Sequence, residues 1–195
     1  MYYPRLIDKY LVEWAFKSGR KPLLLRGARQ VGKSSAVRNL GTHFDSYVEI
    51  NFEKDPALSA VFQNNLDVKR IISQLAVIAG KNIIPGKTLL FIDEIQSCPQ
   101  AIMALRFFKE DLPDLHVVAA GSLLEFTLED IPTFGVGRIH SMFMYPMTFD
   151  EFAIANGENL LIEARESASI ENPLPEPLHQ KFIDLMRTYL LVGGM

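Results

Sequence analysis

The chain predicts an α/β fold: a parallel sheet of about five strands between two layers of helices. Three observations lead there. From Pro22 to Tyr145, short apolar runs that read as buried strands alternate with stretches of helical periodicity. Two of those runs deliver polar side chains to a strand tip, Asp93-Glu94 and Ser122, where open α/β sheets gather their ligands. A glycine-rich turn, Gly27 to Ser34, hands one strand directly to a helix.

Taken in order, Tyr2 to Lys17 reads as a helix with Leu6, Tyr10, Leu11 and Trp14 on one side and Gly19 as its stop. Tyr3 and Arg5 serve there either for packing or for contact with a nucleotide base. Pro22-Leu23-Leu24-Leu25-Arg26 reads as the first strand. The turn Gly27-Ala28-Arg29-Gln30-Val31-Gly32-Lys33-Ser34 follows, and Ser35 to Leu40 continue as a helix that Gly41 ends. Ser46 to Phe52 alternates and is rich in strand formers, so it reads as the second strand. Asp67 caps a helix with Val68, Ile71, Ile72, Leu75 and Ala79 on its apolar face, and Gly80 closes it. Thr88 to Glu94 is the third strand. Pro99 opens an amphipathic helix that buries Ala101, Ile102, Leu105, Phe108 and Leu112. His116 to Ser122 is the fourth strand. Gly135-Val136-Gly137-Arg138 leads into the fifth, Ile139 to Tyr145, which Pro146 stops. Thr148 and Glu151 then have capping-box spacing, with Met147 and Phe152 placed as a hydrophobic staple and Asp150 in the first turn.

The turn fits G-x-x-x-x-G-K-[ST], the Walker A or P-loop motif, in its proper strand–turn–helix setting. Gly27 and Gly32 free the backbone so that the N–H groups of residues 27 to 35 can point at phosphates, and the helix start adds its dipole. The residues predicted to bind nucleotide are Gly27, Ala28, Arg29, Gln30, Val31, Gly32, Lys33, Ser34 and Ser35. Lys33 offers a point charge to the β- and γ-phosphates, and the Ser34 hydroxyl is a ligand for Mg²⁺. Leu89-Leu90-Phe91-Ile92-Asp93-Glu94 is a Walker B pattern, in which Asp93 orients the Mg²⁺ shell and Glu94 polarises the attacking water. Ser122, on the strand expected between the Walker A and Walker B strands, is a sensor candidate for the γ-phosphate or the water. The fold expected is therefore a P-loop NTPase three-layer sandwich of the additional-strand, catalytic-glutamate division, with strand order 5-1-4-3-2 and a helical C-terminal extension.

Beside these motifs stand Ala120-Gly121-Ser122, Gly137-Arg138 and Pro146-Met147-Thr148-Phe149-Asp150-Glu151-Phe152. Together with Gly27 to Ser34 and Ile92-Asp93-Glu94-Ile95-Gln96, they resemble, in order, the motifs of a large group of bacterial and archaeal AAA+-type ATPases. The resemblance covers nearly the whole chain. It implies ATP binding and hydrolysis, a C-terminal domain beginning soon after a Gly-Gly-x-Pro turn, and Arg138 as the charge-neutralising arginine, acting in its own subunit or from a neighbour. On that resemblance the turn corresponds to Gly193-Gly194-Met195, and the sequence is expected to hold the family's first half without its second. Residues 1–157 are accordingly expected to form the ATPase domain. Residues 158–195 are expected to form an acidic linker, with Pro173, Pro175 and Pro177, and a last helix striped by Leu178, Phe182, Leu185, Tyr189 and Val192. That helix is expected to be loosely held or to expose an apolar patch.

Composition narrows the classes. The chain has 195 residues, 48% hydrophobic, with a formal net charge of −3, which gives no support to a globally basic nucleic-acid binder. Cys98 is the single cysteine, and His43, His116, His140 and His179 lack metal-ligand spacing. No apolar run approaches the roughly 18 residues of a membrane helix. The expectation is a cytoplasmic enzyme using ATP and Mg²⁺, coupled to a C-terminal domain or partner. A homo-oligomer would let Arg138 act in trans, and nucleic acid and protein clients both stay open. The alternative is a nucleotide-gated switch or scaffold with little turnover. A small-molecule kinase is disfavoured because Glu94 would activate the water such enzymes exclude. GTP specificity is disfavoured because no N-K-x-D motif occurs.

Overall fold

The computed structural model describes residues 2–63, 65–122 and 137–194. Gly135 and Val136, read above as part of the lead into the fifth strand, lie outside the described residues, as does Met195. The chain divides into two compact units, one of Ile7–Met144 and one that joins the residues up to Leu6 with those from Tyr145 onward.

The larger unit is built on five parallel strands: β1 (Leu23–Arg26), β2 (Ser46–Asn51), β3 (Thr88–Asp93), β4 (His116–Gly121) and β5 (His140–Phe143). Their order is β2-β3-β4-β1-β5, which from the other edge reads 5-1-4-3-2. β3 and β4 are buried along their whole length, as continuous apolar runs in the middle of a parallel sheet must be. Alternate residues serve opposite faces. Leu24, Val48, Ile50, Leu90, Ile92, Val117 and Ala119 pack into one cluster with α3 (Val68–Ala79), α4 (Pro99–Asp111) and a 3-10 segment, Pro56–Phe62. Leu23, Leu25, Leu89, Phe91, Val118 and Ala120 are equally buried, so the other face is covered as well. The 3-10 segment escapes the sequence reading because it has no helical period. Its Phe62 is anchored edge-on against Phe52, ring centroids 5.6 Å apart.

The caps of α3 are those expected: Asp67 accepts from the amides of Lys69 and Arg70, and Gly80 takes the left-handed conformation at φ 62°. The first helix differs from expectation. α1 spans Leu6–Phe16, not Tyr2 to Lys17, and buries Leu11, Trp14 and Ala15 while Leu6 and Tyr10 are each 56% exposed. Its start is set by a tertiary contact rather than by local sequence, because the Leu6 amide donates to Glu151 Oε1 at 2.6 Å. Its end is held by His116 of β4, whose Nε2–H donates to Ala15 O (3.1 Å) while Nδ1 accepts from the Arg20 guanidinium (3.0 Å). Burial, helped by the Arg20 charge, pushes the His116 pKa down to about 4, so the ring is a neutral clamp.

In the smaller unit, α5 (Phe149–Ala155) carries the expected capping box. Thr148 Oγ1 accepts from the Glu151 amide, and Glu151 Oε2 accepts from the Thr148 amide. Glu151 also pairs with Arg5 Nε at 3.0 Å, and both side chains are nearly inaccessible, so Arg5 serves packing and not a nucleotide base. Residues 159–166, expected as acidic linker, form a helix, α6 (Asn159–Glu166), on which Arg165 makes two bonds to Asp150 at 2.6 and 2.9 Å. Gly157, after which the sequence places a change of composition, lies between α5 and α6. The last helix, α7 (Glu176–Val192), lays Phe182 and Tyr189 against Phe149, and Tyr189 Oη donates to Met147 O at 2.8 Å. No α7 residue is fully buried, and Leu190, Leu191 and Val192 are exposed. Among the described residues no helix is long and apolar enough to cross a membrane.

Candidate nucleotide site

β1 ends at Arg26 and the P-loop begins at once. Gly27 has φ 145° and lies so close to β5 that a Cβ there would stand 2.1 Å from Met144 O. The same approach is fixed from the other side by Met144 N donating to Arg26 O at 2.8 Å. Gln30 (φ 65°) and Gly32 (φ 99°) are left-handed and turn the chain into α2, Lys33–Gly41. No side chain caps α2, so its first-turn amides keep their capacity for an anion. Lys33 is 7% exposed, and its ammonium donates to Gly27 O (2.8 Å) and Ala28 O (2.6 Å). An ammonium has a third donor to give. Burial lowers the Lys33 pKa, Glu94 and Asp93 work against that, and Arg29 adds to it.

The sheet brings the second motif to the loop. Ser34 Oγ donates to Asp93 Oδ2 at 2.8 Å. Asn51, in register with Asp93 on β2, donates to the same oxygen at 3.1 Å. Burial raises the Asp93 pKa, opposed by the Ser34 hydroxyl bond, and Glu94 raises it further. Glu94 is itself left-handed, φ 51°, and accepts from Gln96 Nε2 at 2.6 Å. Ser122 is buried at the tip of β4, its Oγ 3.4 Å from Arg29 Nε. Arg29, Gln30, Gly32, Lys33, Ser34, Ser35, Glu53 and Glu94 line one cleft of about 370 Å³. Val31 of the loop is buried.

One predicted residue is not brought there. Arg138 precedes β5, whose first residue His140 pairs with the first residue of β1, whereas the loop leaves the last. It is half exposed and paired with Glu110 at 2.8 Å. It therefore stands at the opposite end of the sheet from the phosphate loop of its own chain. Asn51 and Glu53 were missed. Asn51 had a signal, a polar residue at a strand end, but only the β2–β3 register shows that it faces Asp93. Gln96 was seen within a motif but given no task.

Residues 19–153 match a family model described as AAA domain. The solved Walker-type ATPase PABY2304 of Pyrococcus abyssi superposes with a TM-score of 0.58 at 16% identity, over 99% of this chain. This chain spans 64% of that one. PCH-2 of C. elegans aligns with a TM-score of 0.48 at 17% identity, over 88% of this chain and 50% of its own. No curated protein matches. At 16% identity the Pyrococcus structure speaks for the fold alone, and the family model speaks for the family. The chain belongs to the AAA domain family.

Proposed function

We propose that the cleft binds Mg-ATP and hydrolyses it. The observation that carries this is the 2.8 Å bond between Ser34 Oγ and Asp93 Oδ2. It joins the end of Walker A to Walker B across 59 positions of sequence, with Lys33 and Glu94 on the same cleft. The two oxygens also suit the metal: a hydroxyl and a buried carboxylate are the hard donors Mg²⁺ takes, and an acid disfavoured by burial and by a neighbouring acid gains from a cation. Mg²⁺ held at Ser34 and Asp93 would neutralise charge on the phosphates. The chain does the rest. The amides of residues 27 to 35 and the Lys33 ammonium seat the phosphates, and Asn51 holds Asp93 in place. Glu94 accepts a proton from water. The water oxygen bonds to the γ-phosphorus as the bond to the β–γ bridging oxygen breaks, and ADP and inorganic phosphate leave. Ser122 lies at the strand tip beside the loop, where a hydroxyl can sense the γ-phosphate.

The cycle is further proposed to act on a C-terminal domain or a partner, a reading that the exposed Leu190, Leu191 and Val192 support. The proposed setting is the cytoplasm, which supplies ATP and Mg²⁺ and keeps a thiol such as Cys98 reduced. Calorimetric titration and single-turnover phosphate release test the proposal. Lys33→Ala should lose Mg-ATP affinity while keeping its fold. Glu94→Gln should bind Mg-ATP normally and slow phosphate release by about 10²-fold or more. Wild-type affinity in the first variant would remove the P-loop reading. Negligible release by the unmutated protein would favour the nucleotide-gated switch.

A further inference from the structure

The charge that builds on a γ-phosphate in hydrolysis calls for a cation beyond Lys33, and Arg138 is at the wrong end of the sheet to supply it in its own chain. We propose that Arg29, inside the P-loop itself, is the arginine that grips the γ-phosphate of ATP, and that Glu53 is the acid from which the phosphate takes it. The inference rests on the proposed function and assigns a task to one side chain of the same cleft.

Placement is the first argument. The Arg29 guanidinium touches two residues, each just past the end of a strand. Its Nε is 3.4 Å from Ser122 Oγ after β4, and one Nη donates to Glu53 Oε1 after β2 at 3.1 Å. β3 lies between β2 and β4, and its tip carries Asp93 and Glu94. A side chain that bridges the two outer tips therefore crosses in front of the middle one. That is where a γ-phosphate must stand if Lys33 and Ser34 hold the phosphates on one side and Glu94 activates water on the other. Arg29, Glu53, Lys33, Ser34 and Glu94 line this same cleft.

Chemistry is the second argument. A guanidinium presents five N–H donors in a planar fork suited to two oxygens of one phosphate. Among the described residues only Ser122 and Glu53 occupy Arg29, through two of those donors. The Glu53 pair is two-thirds exposed on the arginine side and half exposed on the acid side, so it is a weak tie that a triphosphate can outbid. The other arginines nearby are committed elsewhere: Arg26 stacks on Phe143, and Arg38 makes two bonds to Glu49. ADP lacks the group Arg29 would grip, so the residue should discriminate ATP from ADP, which the loop amides and Lys33 alone do less well.

The test measures Mg-ATP and Mg-ADP affinity by calorimetry on the full chain, with single-turnover phosphate release. Arg29→Gln should weaken ATP binding about tenfold and ADP binding less than about twofold, and slow release by about 10³-fold. Arg29→Lys, which keeps the charge without the fork, should recover part of the ATP preference. Glu53→Gln, which frees the guanidinium, should tighten ATP binding several-fold and leave ADP unchanged. An unaltered ATP-to-ADP ratio in Arg29→Gln, with normal ADP binding, would overturn the assignment of Arg29 and leave the ATPase reading standing. An equal loss of both nucleotides would also overturn it, by showing that Arg29 merely holds the loop's shape. A wild-type protein that binds neither nucleotide would overturn both readings.

Discussion

Gly27→Ala tests whether the loop's first residue is as confined as the structure shows. The new methyl carbon would stand 2.1 Å from Met144 O, 3.2 Å from Met144 C and 3.5 Å from Met144 N. Contacts below 3.0 Å do not occur for real Cβ atoms, so loop and strand must part by about 1 Å. The obstacle is a backbone oxygen of β5, which cannot swing aside as a side chain could. Overpacking of this kind costs about 1–3 kcal/mol. The φ of 145° adds about 1–3 kcal/mol for any residue with a Cβ. If the strain is relieved by breaking the Met144 N to Arg26 O bond, about 1 kcal/mol goes with it. A loss of about 2–7 kcal/mol is expected, with ATP affinity reduced at least tenfold because the phosphate amides shift. Trp14, the single tryptophan, is 5% exposed and makes fluorescence-monitored urea unfolding a direct assay. Gly80→Ala is the control: φ is 62° there but a Cβ would meet nothing within 4 Å, so only about 1 kcal/mol should be lost. Equal losses in the two variants, or normal ATP binding by Gly27→Ala, would refute the close approach to Met144.

Two predictions concern the scaffold. His116 has a folded pKa of about 4 against an ordinary 6.5, so the unfolded chain binds its proton more readily. Its contribution should be complete above pH 6.5 and drain away as pH falls toward 4, about 3 kcal/mol in all, seen as a falling urea midpoint that His116→Phe flattens. Burial would raise the Glu151 pKa, but the amides of Thr148 and Leu6 and the Arg5 guanidinium outweigh it and hold the acid below its usual range. That stability is present above the ordinary carboxylate pKa and lost as pH falls below it. Glu151→Gln should cost about 2–4 kcal/mol and speed hydrogen exchange at the Leu6 and Thr148 amides.

Local sequence determined a great deal of this protein. The P-loop is a contiguous stretch whose glycines, lysine and serine do their work through backbone geometry, so Gly27 to Ser34 could be read without a fold. β3 and β4 announced themselves because a strand buried on both faces must be apolar throughout. Asp93-Glu94 and the extra strand ending in Ser122 pointed to the additional-strand, catalytic-glutamate division of P-loop NTPases, whose strand order is 5-1-4-3-2. Caps at Asp67 and Thr148 were legible because their partners lie two or three residues away.

Tertiary structure decided whatever depends on partners distant in sequence. α1 begins at Leu6 because Glu151, 145 positions on, takes its amide. α6 forms in a stretch that looked like linker, where it buries Leu161 and Ile162 and Arg165 engages Asp150. The family resemblance allowed Arg138 to act in its own subunit or from a neighbour, and parallel pairing puts the start of β5 at the far end of the sheet from the loop of its own chain. Asn51 and Glu53 gained their meaning only when register set one beside Asp93 and the Arg29 side chain reached the other. The physical reason is the same in each case. Backbone conformation answers to neighbours within a few residues, whereas a site in a parallel sheet is assembled from strand tips, and which tips meet is settled by the order and direction of the strands.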